Sequence, residues 1–325
     1  MRSSLSLALT PLAAAALAAL AKPVFAQTPA SATPPQALGE ITIRSSADDD
    51  AYSPATSSTA TKGSAPLRDV PQAVNVVPGK LLRDQGARSM EDALRNVPGV
   101  AMSHGDGQRD QVVIRGFTAI ADQFVDGVRD DALYFRDLAD IERVEVLKGP
   151  AAVLYGRGSS GGLINRVTKK PKFGETSGEA TLGLGSFDYR RATADVNLGI
   201  NDAAAFRLNM AAEDSGSYRD QQFVKRYNFA PSLALKLAAQ TELLLQYTNA
   251  RDKRLTDFGI PALNGRPVDV PASTYYGSRN AAQDDTTTST IQSFAATLNH
   301  RFNDDWSVRN VTRLYDYTLD RYNTL

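Results

Sequence analysis

Long alternating segments fill the second half of this 325-residue chain and limit its fold more than any other feature. In residues 193–200 the even positions are the apolar Ala194, Val196, Leu198 and Ile200, and polar Thr, Asp and Asn stand between them. A period of two over about ten residues is typical of β-strands with two unlike faces. The same alternation recurs at residues 206–213, 227–237, 243–247 and 294–302.

The connections between these segments distinguish a membrane barrel from a soluble sandwich, which also alternates. Short connections occur at residues 201–202, 239–240 and 303–305, and longer ones at 214–225 and 252–287. Short turns at one end and long loops at the other are typical of outer-membrane barrels. The pattern therefore favours a transmembrane antiparallel β-barrel. About seven strands fit, whereas a closed single-chain barrel has eight or more, so we expect a partial barrel over residues 175–325.

The start of the chain has the features of an export signal. Arg2 precedes an apolar run over residues 5–20, and small residues near Ala26 suit cleavage, so residues 1–26 are predicted to be a signal peptide. Residues 27–64 are rich in Ala, Ser, Thr and Pro and predict a flexible tail. The β-prone stretch LGEITI at residues 38–43 suits either a strand added to a partner's sheet or a plain linker.

Residues 65–172 predict a compact α+β unit. A strand is expected at residues 73–77, and Pro78 suits the start of a helix. Ser89 with Asp92 predicts a capped helix. An Asp-Gly pair at residues 126–127 predicts a turn between strands. Other short strands are predicted at residues 112–114, 124–125, 144–147 and 163–167.

Several classes of chemistry are disfavoured. Equal numbers of basic and acidic side chains, 36 each, argue against a nucleic-acid binder. The chain lacks Cys, and its two histidines, His104 and His300, have no carboxylates at ligand spacing, so no protein metal site is expected. GRGSSG at residues 156–161 matches a dinucleotide motif but leads into a strand-like stretch rather than a helix. We therefore predict neither a cofactor nor an enzyme.

Four stretches of the α+β unit resemble TonB-dependent siderophore receptors, the outer-membrane ferric-siderophore receptor family. They are DVPQAVNV at residues 69–76, VVIRGF at 112–117, FVDGVR at 124–129 and the long run at 141–171. The last contains IERVEVLKGP and LYGRGSSGGLIN, in the order and spacing of the family's plug domain.

The resemblance implies a plug domain inside a 22-stranded barrel. It also implies active uptake of ferric siderophores at the cell outer membrane, powered through the partner protein TonB and in contact with outer-membrane lipid. The stretch at residues 38–43 then resembles the TonB box, with Glu40, Ile41, Thr42 and Ile43 as its residues. Its early position leaves no room for an N-terminal signalling domain. Another cargo, haem or a cobalamin, and a passive porin-like barrel remain alternatives.

The resemblance also implies roles for individual plug residues. Ferric catecholates are usually anionic, and aromatic and cationic side chains suit them, so a catecholate is slightly favoured. The implied ligand-binding residues are Tyr134, Phe135, Arg109, Arg129, Arg136 and Tyr155. Each arginine could equally be a solvated loop charge. Arg115 and Lys148 match basic positions that pair with barrel glutamates on later strands and lock the plug. We expect the 325-residue chain to hold the gate and the coupling tail but not to transport alone.

Overall fold

The structure, a computed structural model, describes residues 52–63, 65–103, 107–156 and 161–324. These residues fall in one structural unit. The predicted signal peptide and the predicted TonB box lie outside the described residues, as do His104 and part of the Gly-rich run at 156–161.

Two small sheets and four short helices form the described chain up to residue 168. One sheet has the order β1-β7-β8-β5-β6 and the other the order β2-β3-β4. Their strands are β1 (Ala73–Pro78), β2 (Val100–Ser103), β3 (Gln111–Ile114), β4 (Phe117–Thr118), β5 (Gln123–Val125), β6 (Val128–Arg129), β7 (Ile141–Lys148) and β8 (Gly162–Thr168). The helices are α1 (Ser58–Thr61), α2 (Gly79–Asp84), α3 (Met90–Leu94) and α4 (Ala152–Tyr155), with a 3-10 turn at Leu67–Asp69.

Local signals in the sequence explain where α3 begins. The Ser89 hydroxyl accepts from the Asp92 amide at 3.2 Å, and the Asp92 carboxylate accepts from the Ser89 amide at the same distance. This confirms the predicted capping box. The helix buries Met90 and Leu94 against Val112 and Ile164 in the main apolar core. Among the described residues, no helix is both long enough and apolar enough to cross a membrane.

Glycine is required where β8 begins. A Cβ at Gly162 would lie 2.1 Å from the Leu147 carbonyl oxygen, and one at Gly161 would lie 2.3 Å from that of Ile114. The backbones therefore approach too closely for any side chain. Since Gly162 starts a strand and not a helix, the described end of the Gly-rich run has the context of a packed turn rather than a dinucleotide site.

Seven long antiparallel strands follow, in the order β17-β16-β13-β12-β11-β10-β9, and we call this sheet the wall. It agrees with the predicted strand number. Each strand pairs with its neighbour in the wall, and the described residues up to 168, which we call the plug region, pack against one face. The wall strands are β9 (Thr176–Leu184), β10 (Arg190–Asn201), β11 (Ala204–Gly216), β12 (Phe223–Ala238), β13 (Thr241–Leu255), β16 (Thr286–Arg301) and β17 (Ser307–Arg321).

The short turns lie where they were predicted, but both long loops are shorter than expected. Asp214 to Gly216 pair with Phe223 to Lys225, so the loop between β11 and β12 is only residues 217–222. Ladder hydrogen bonds and an ion pair of 3.4 Å between Lys225 and Asp214 extend these strands through residues whose polarity suggested a loop. The second loop is residues 256–285 and contains β14 (Ala262–Leu263), β15 (Arg266–Pro267) and helix α5 (Ala281–Asp284).

Burial in the wall is the reverse of that in a soluble sandwich. On β12 the small and polar Asn228 and Ser232 are buried, whereas Tyr227, Phe229 and Leu237 are 42%, 40% and 55% exposed. The polar face lies against the plug region and the apolar face points away from it. Apolar-out and polar-in alternation is the pattern of a membrane barrel, which confirms the predicted fold class of a plug followed by part of a barrel.

Candidate functional site

A buried carboxylate organises the segment between β6 and β7. Asp130 accepts from the Tyr134 hydroxyl at 2.8 Å and from Nε of Arg136 at 3.3 Å, and it also pairs with Arg166. From the wall, Arg313 on β17 reaches its other oxygen at 3.2 Å. Burial raises the pKa of Asp130, but the guanidinium groups around it outweigh burial and hold that pKa well below its usual range. The cluster fixes the segment between β6 and β7 to β8 of the five-stranded sheet and to β17 of the wall.

Tyr134 and Arg136 lie inside this cluster. Tyr134 is 8% exposed, and its ring lies 4.3 Å from the Arg136 guanidinium carbon. Arg136 is 1% exposed and donates to the carbonyls of Ala132 and Asp130 at 2.9 and 3.0 Å. Arg136 is therefore not the solvated loop charge considered from the sequence, because protein acceptors surround it. The structure gives both side chains a positioning role, and direct ligand contact stays a prediction for them.

Phe135 and Arg109 occupy the more accessible part of the same region. The half-buried Phe135 ring lies 3.6 Å from the guanidinium carbon of Arg254 on β13. Arg254 is held by Asp252, with Nε 2.6 Å from the carboxylate. Arg109 is also half-buried and lies between β2 and β3. An aromatic ring with a cation on its face, near the long-loop ends of the strands, can contact an anionic aromatic ligand.

Arg129 and Tyr155 lie together at a different place. Arg129 donates to the Tyr155 carbonyl at 3.4 Å, and its guanidinium carbon lies 4.9 Å from the Phe124 ring. The Tyr155 hydroxyl donates to the Thr59 carbonyl at 2.8 Å. Burial and the nearby Glu145 raise the pKa of Tyr155 to about 12. The six predicted ligand residues therefore form two groups, of which this one contacts the N-terminal segment.

Glu145 anchors that N-terminal segment, although it was not among the site residues predicted from the sequence. This fully buried carboxylate on β7 accepts from the Ser57 hydroxyl at 2.6 Å and from the Thr59 amide at 2.9 Å, and the Thr59 hydroxyl also donates to it. Arg143 adds an ion pair of 2.7 Å. An acidic residue in the middle of the apolar run VEVL was the available signal, because a buried carboxylate needs partners.

A second charged cluster joins the plug region to the wall. Arg191 on β10 binds both carboxylate oxygens of Asp137 at 2.8 Å and reaches Glu213 on β11 at 2.9 Å. Arg226 on β12 lies 2.7 Å from Glu213 and 3.3 Å from Asp137. Burial raises the pKa of Asp137, but Arg226 and Arg191 outweigh it and lower that pKa. We call this cluster and the Asp130 cluster the seam.

Arg115 and Lys148, the two predicted lock residues, lie near each other. Arg115 is exposed in a left-handed conformation (φ 50°), and Lys148 is half-buried. Burial and the proximity of Arg115 lower the pKa of Lys148. Neither residue forms an ion pair with a carboxylate within the part of the chain that the structure describes. Their pairing with barrel glutamates stays a prediction.

Comparison with known proteins agrees with the fold and the motifs. Residues 66–163 match the TonB-dependent Receptor Plug Domain. The chain is 34% identical over 321 residues to the probable TonB-dependent receptor BfrD of Bordetella pertussis, covering 95% of this chain and 42% of that relative. It is 33% identical over 274 residues to the catecholate siderophore receptor Fiu of Escherichia coli K12, covering 78% of this chain and 35% of that relative.

Solved structures give the same result. The closed form of the ferric-catecholate import receptor Fiu from Escherichia coli K12 matches with a TM-score of 0.76 and 32% identity, over 83% of this chain and 40% of that chain. The siderophore receptor PiuA from Acinetobacter baumannii matches with a TM-score of 0.76 and 28% identity, over 84% and 40%. The chain thus spans about two fifths of the length of these relatives. With its plug domain and apolar-out strands, the chain belongs to the TonB-dependent receptors, a family of outer-membrane receptors.

Proposed function

We propose that the chain is the plug-bearing part of an outer-membrane receptor that takes up ferric siderophores with energy supplied through TonB, with catecholates as the favoured cargo. The observation that carries this proposal is the likeness to receptors named for catecholate siderophores, at 33% identity in sequence and a TM-score of 0.76 in structure. Residues 1–26 are its export signal, and the flexible tail predicted over residues 27–64 ends before Ser57, where the chain is held by Glu145.

The chemistry of the outward plug loops supports this cargo class. A siderophore brings its own iron ligands, so the receptor needs shape, aromatic surface and cations rather than metal-binding side chains. Phe135, with Arg254 at 3.6 Å from its ring, and Arg109 supply aromatic surface and positive charge. Asp130 and Arg136 hold the backbone of this segment against the wall.

The anchor at Glu145 supports coupling to TonB. A TonB box at residues 40–43 would add a strand to the partner's sheet through backbone hydrogen bonds. The first described segment, residues 52–63, is the one that Glu145 holds, through Ser57 and Thr59. Tension on the tail is therefore delivered to a defined point of the plug. Arg115 and Lys148 lock the plug to glutamates of the barrel in this proposal.

Uptake and binding assays test the proposal. We expect the receptor carrying this sequence to support growth of an iron-starved strain on a ferric catecholate, and deletion of residues 40–43 to abolish growth while leaving binding to whole cells intact. Growth that survives this deletion would indicate a passive pore. Phe135→Ala should weaken ferric-catecholate binding about tenfold by loss of ring contact, measured by fluorescence quenching of the purified protein. The matched control is Phe302→Ala, an exposed ring in the short turn after β16.

A further inference from the structure

Two lysines lie directly opposite each other on the outer face of the wall. Lys225 on β12 pairs with Lys253 on β13 at the long-loop ends of these strands. The next pair on the same face is Tyr227 with Arg251. Facing residues of an antiparallel pair have Cβ atoms about 5 Å apart, and like charges there repel each other. Three cations therefore share a small area, which we call the basic patch.

Acidic neighbours neutralise little of this charge. Asp214 lies 3.4 Å from Lys225, but both side chains are about 60% exposed, so water screens the pair. Among the described residues, Arg251 and Lys253 form no ion pair. Their cross-strand neighbours on β16 are Thr290 and Thr288, whose hydroxyl groups can donate hydrogen bonds to an anion.

The basic patch borders the apolar outer face. Phe229 follows Tyr227 on β12 by two residues on the same side and is 40% exposed, and Phe294 on β16 is 46% exposed. Cations just above an apolar band are placed at the level of lipid headgroups, where long side chains reach towards phosphate. The patch lies on central strands of the wall, so the neighbouring strands on both sides are present.

We propose that Lys225, Arg251 and Lys253 bind the phosphate groups of a lipid headgroup in the membrane leaflet on the long-loop side. This inference rests on the proposed membrane location. A lipid is favoured over a protein partner because the patch is continuous with the apolar band that faces acyl chains. A phosphate between Lys225 and Lys253 turns their repulsion into two attractive contacts.

The test uses the purified receptor in phosphatidylcholine nanodiscs and two fluorescent glycolipid probes, one bisphosphorylated and one with its phosphates removed. We expect tighter binding of the phosphorylated probe. Replacing all three cations with glutamine (K225Q, R251Q and K253Q) should weaken that binding at least about tenfold and leave the dephosphorylated probe unchanged. The matched control is Arg266→Gln, which removes one exposed cation from β15 in the outer loop.

Three results would overturn the inference: equal binding of the two probes, unchanged affinity of the triple variant, or full displacement of the probe by millimolar inorganic phosphate. Strand content by circular dichroism checks that the triple variant is folded. Ferric-catecholate binding is measured on the same samples. Lipid binding without ferric-catecholate binding contradicts the proposed cargo alone, whereas ferric-catecholate binding without phosphate selectivity contradicts only the basic patch.

Discussion

The plug region and the wall bury opposite kinds of side chain. The plug core consists of residues such as Met90, Leu94 and Val144, all at most 1% exposed. On the wall, most buried positions are polar or small, such as Asn209 at 2%, whereas Tyr227 and Phe229 lie on the outer face. The two regions therefore meet mainly through charges and hydrogen bonds, and their shared apolar contact is a small cluster in which Ala132 and Tyr134 of the plug pack against Ile291 of the wall. Apolar burial holds the plug core together, whereas charges and hydrogen bonds attach the plug to the wall. Different mutations should therefore disrupt the plug core and its attachment to the wall.

The largest effect is expected from breaking the attachment at Asp130. Asp130→Asn removes the carboxylate that Arg136, Arg166 and Arg313 share and should cost about 3–5 kcal/mol. Protease protection of residues 122–140, followed by mass spectrometry, measures this loss. Asp131→Asn is the matched control, because Asp131 is exposed and accepts only a 3.2 Å hydrogen bond from the Tyr315 hydroxyl. Equal protection in the two variants would contradict the role assigned to the seam.

A change on the outer face of the wall tests the inverted burial. Phe294→Arg places a charge in the apolar band and should destabilise the membrane-inserted protein by about 2–4 kcal/mol. The measurement is denaturant unfolding from lipid vesicles. Asp305→Arg, in the exposed turn after β16, is the control and should change stability little. If Phe294→Arg were neutral in lipid, that face would not be in contact with acyl chains.

Acid should loosen the seam before it affects the plug core. Asp130, Asp137 and Asp126 have lowered pKa values, so the stability they contribute is present above the unfolded value near 3.9 and is lost as pH falls through their folded values. Burial raises the pKa values of Asp110 and Asp140. Their contribution to folding stability therefore has the opposite pH dependence and is lost as pH rises. Because these two contributions to stability partly cancel, we expect only a small loss of seam stability below pH 4. Protease protection of the seam, recorded at each pH, measures this loss.

The Asp130→Asn variant sharpens this measurement. Because it lacks the carboxylate with the most strongly lowered pKa of the seam, its protection should depend less on pH than that of the unmodified protein. An identical pH profile in the two proteins would show that Asp130 does not control the acid response.

The smallest effect is expected inside the plug alone. Ser89→Ala removes the hydroxyl that accepts from the Asp92 amide and should cost about 1 kcal/mol. Hydrogen exchange of residues 90–94 should rise, while exchange of the wall strands stays unchanged. A change that spread to β10 or β12 would mean that plug and wall unfold together.

Local patterns predicted the fold well. The period of two gave the wall strands, Ser89 with Asp92 gave the start of α3, and the Asp-Gly pair at residues 126–127 gave the β5–β6 hairpin. The loop between β11 and β12 was predicted too long, because Asp214, Ser215, Gly216 and Lys225 are polar or small although they pair as strands. Polarity at a strand end does not distinguish a loop from a solvent-exposed ladder.

The candidate site was harder to predict, because its contacts join residues far apart in the chain. Arg191 and Asp137 are 54 residues apart, and Arg313 and Asp130 are 183 apart. The spacing of charges gives no information on such pairs. Arg129 and Arg136 stand close in sequence, yet one contacts Tyr155 and the other is buried at Asp130. Only the three-dimensional structure shows that Arg129 and Arg136 belong to different groups.

The anchor at Glu145 has a mechanical consequence. The bond from Ser57 to Glu145 joins residues 88 apart and enters the sheet at β7, its second strand, although β1 is the edge strand and comes first in the chain. A load on the tail therefore bypasses β1 and acts on the middle of the domain. Hydrogen bonds rupture over small extensions, so this attachment is stiff and brittle. The edge strand carries load only after the anchor has broken.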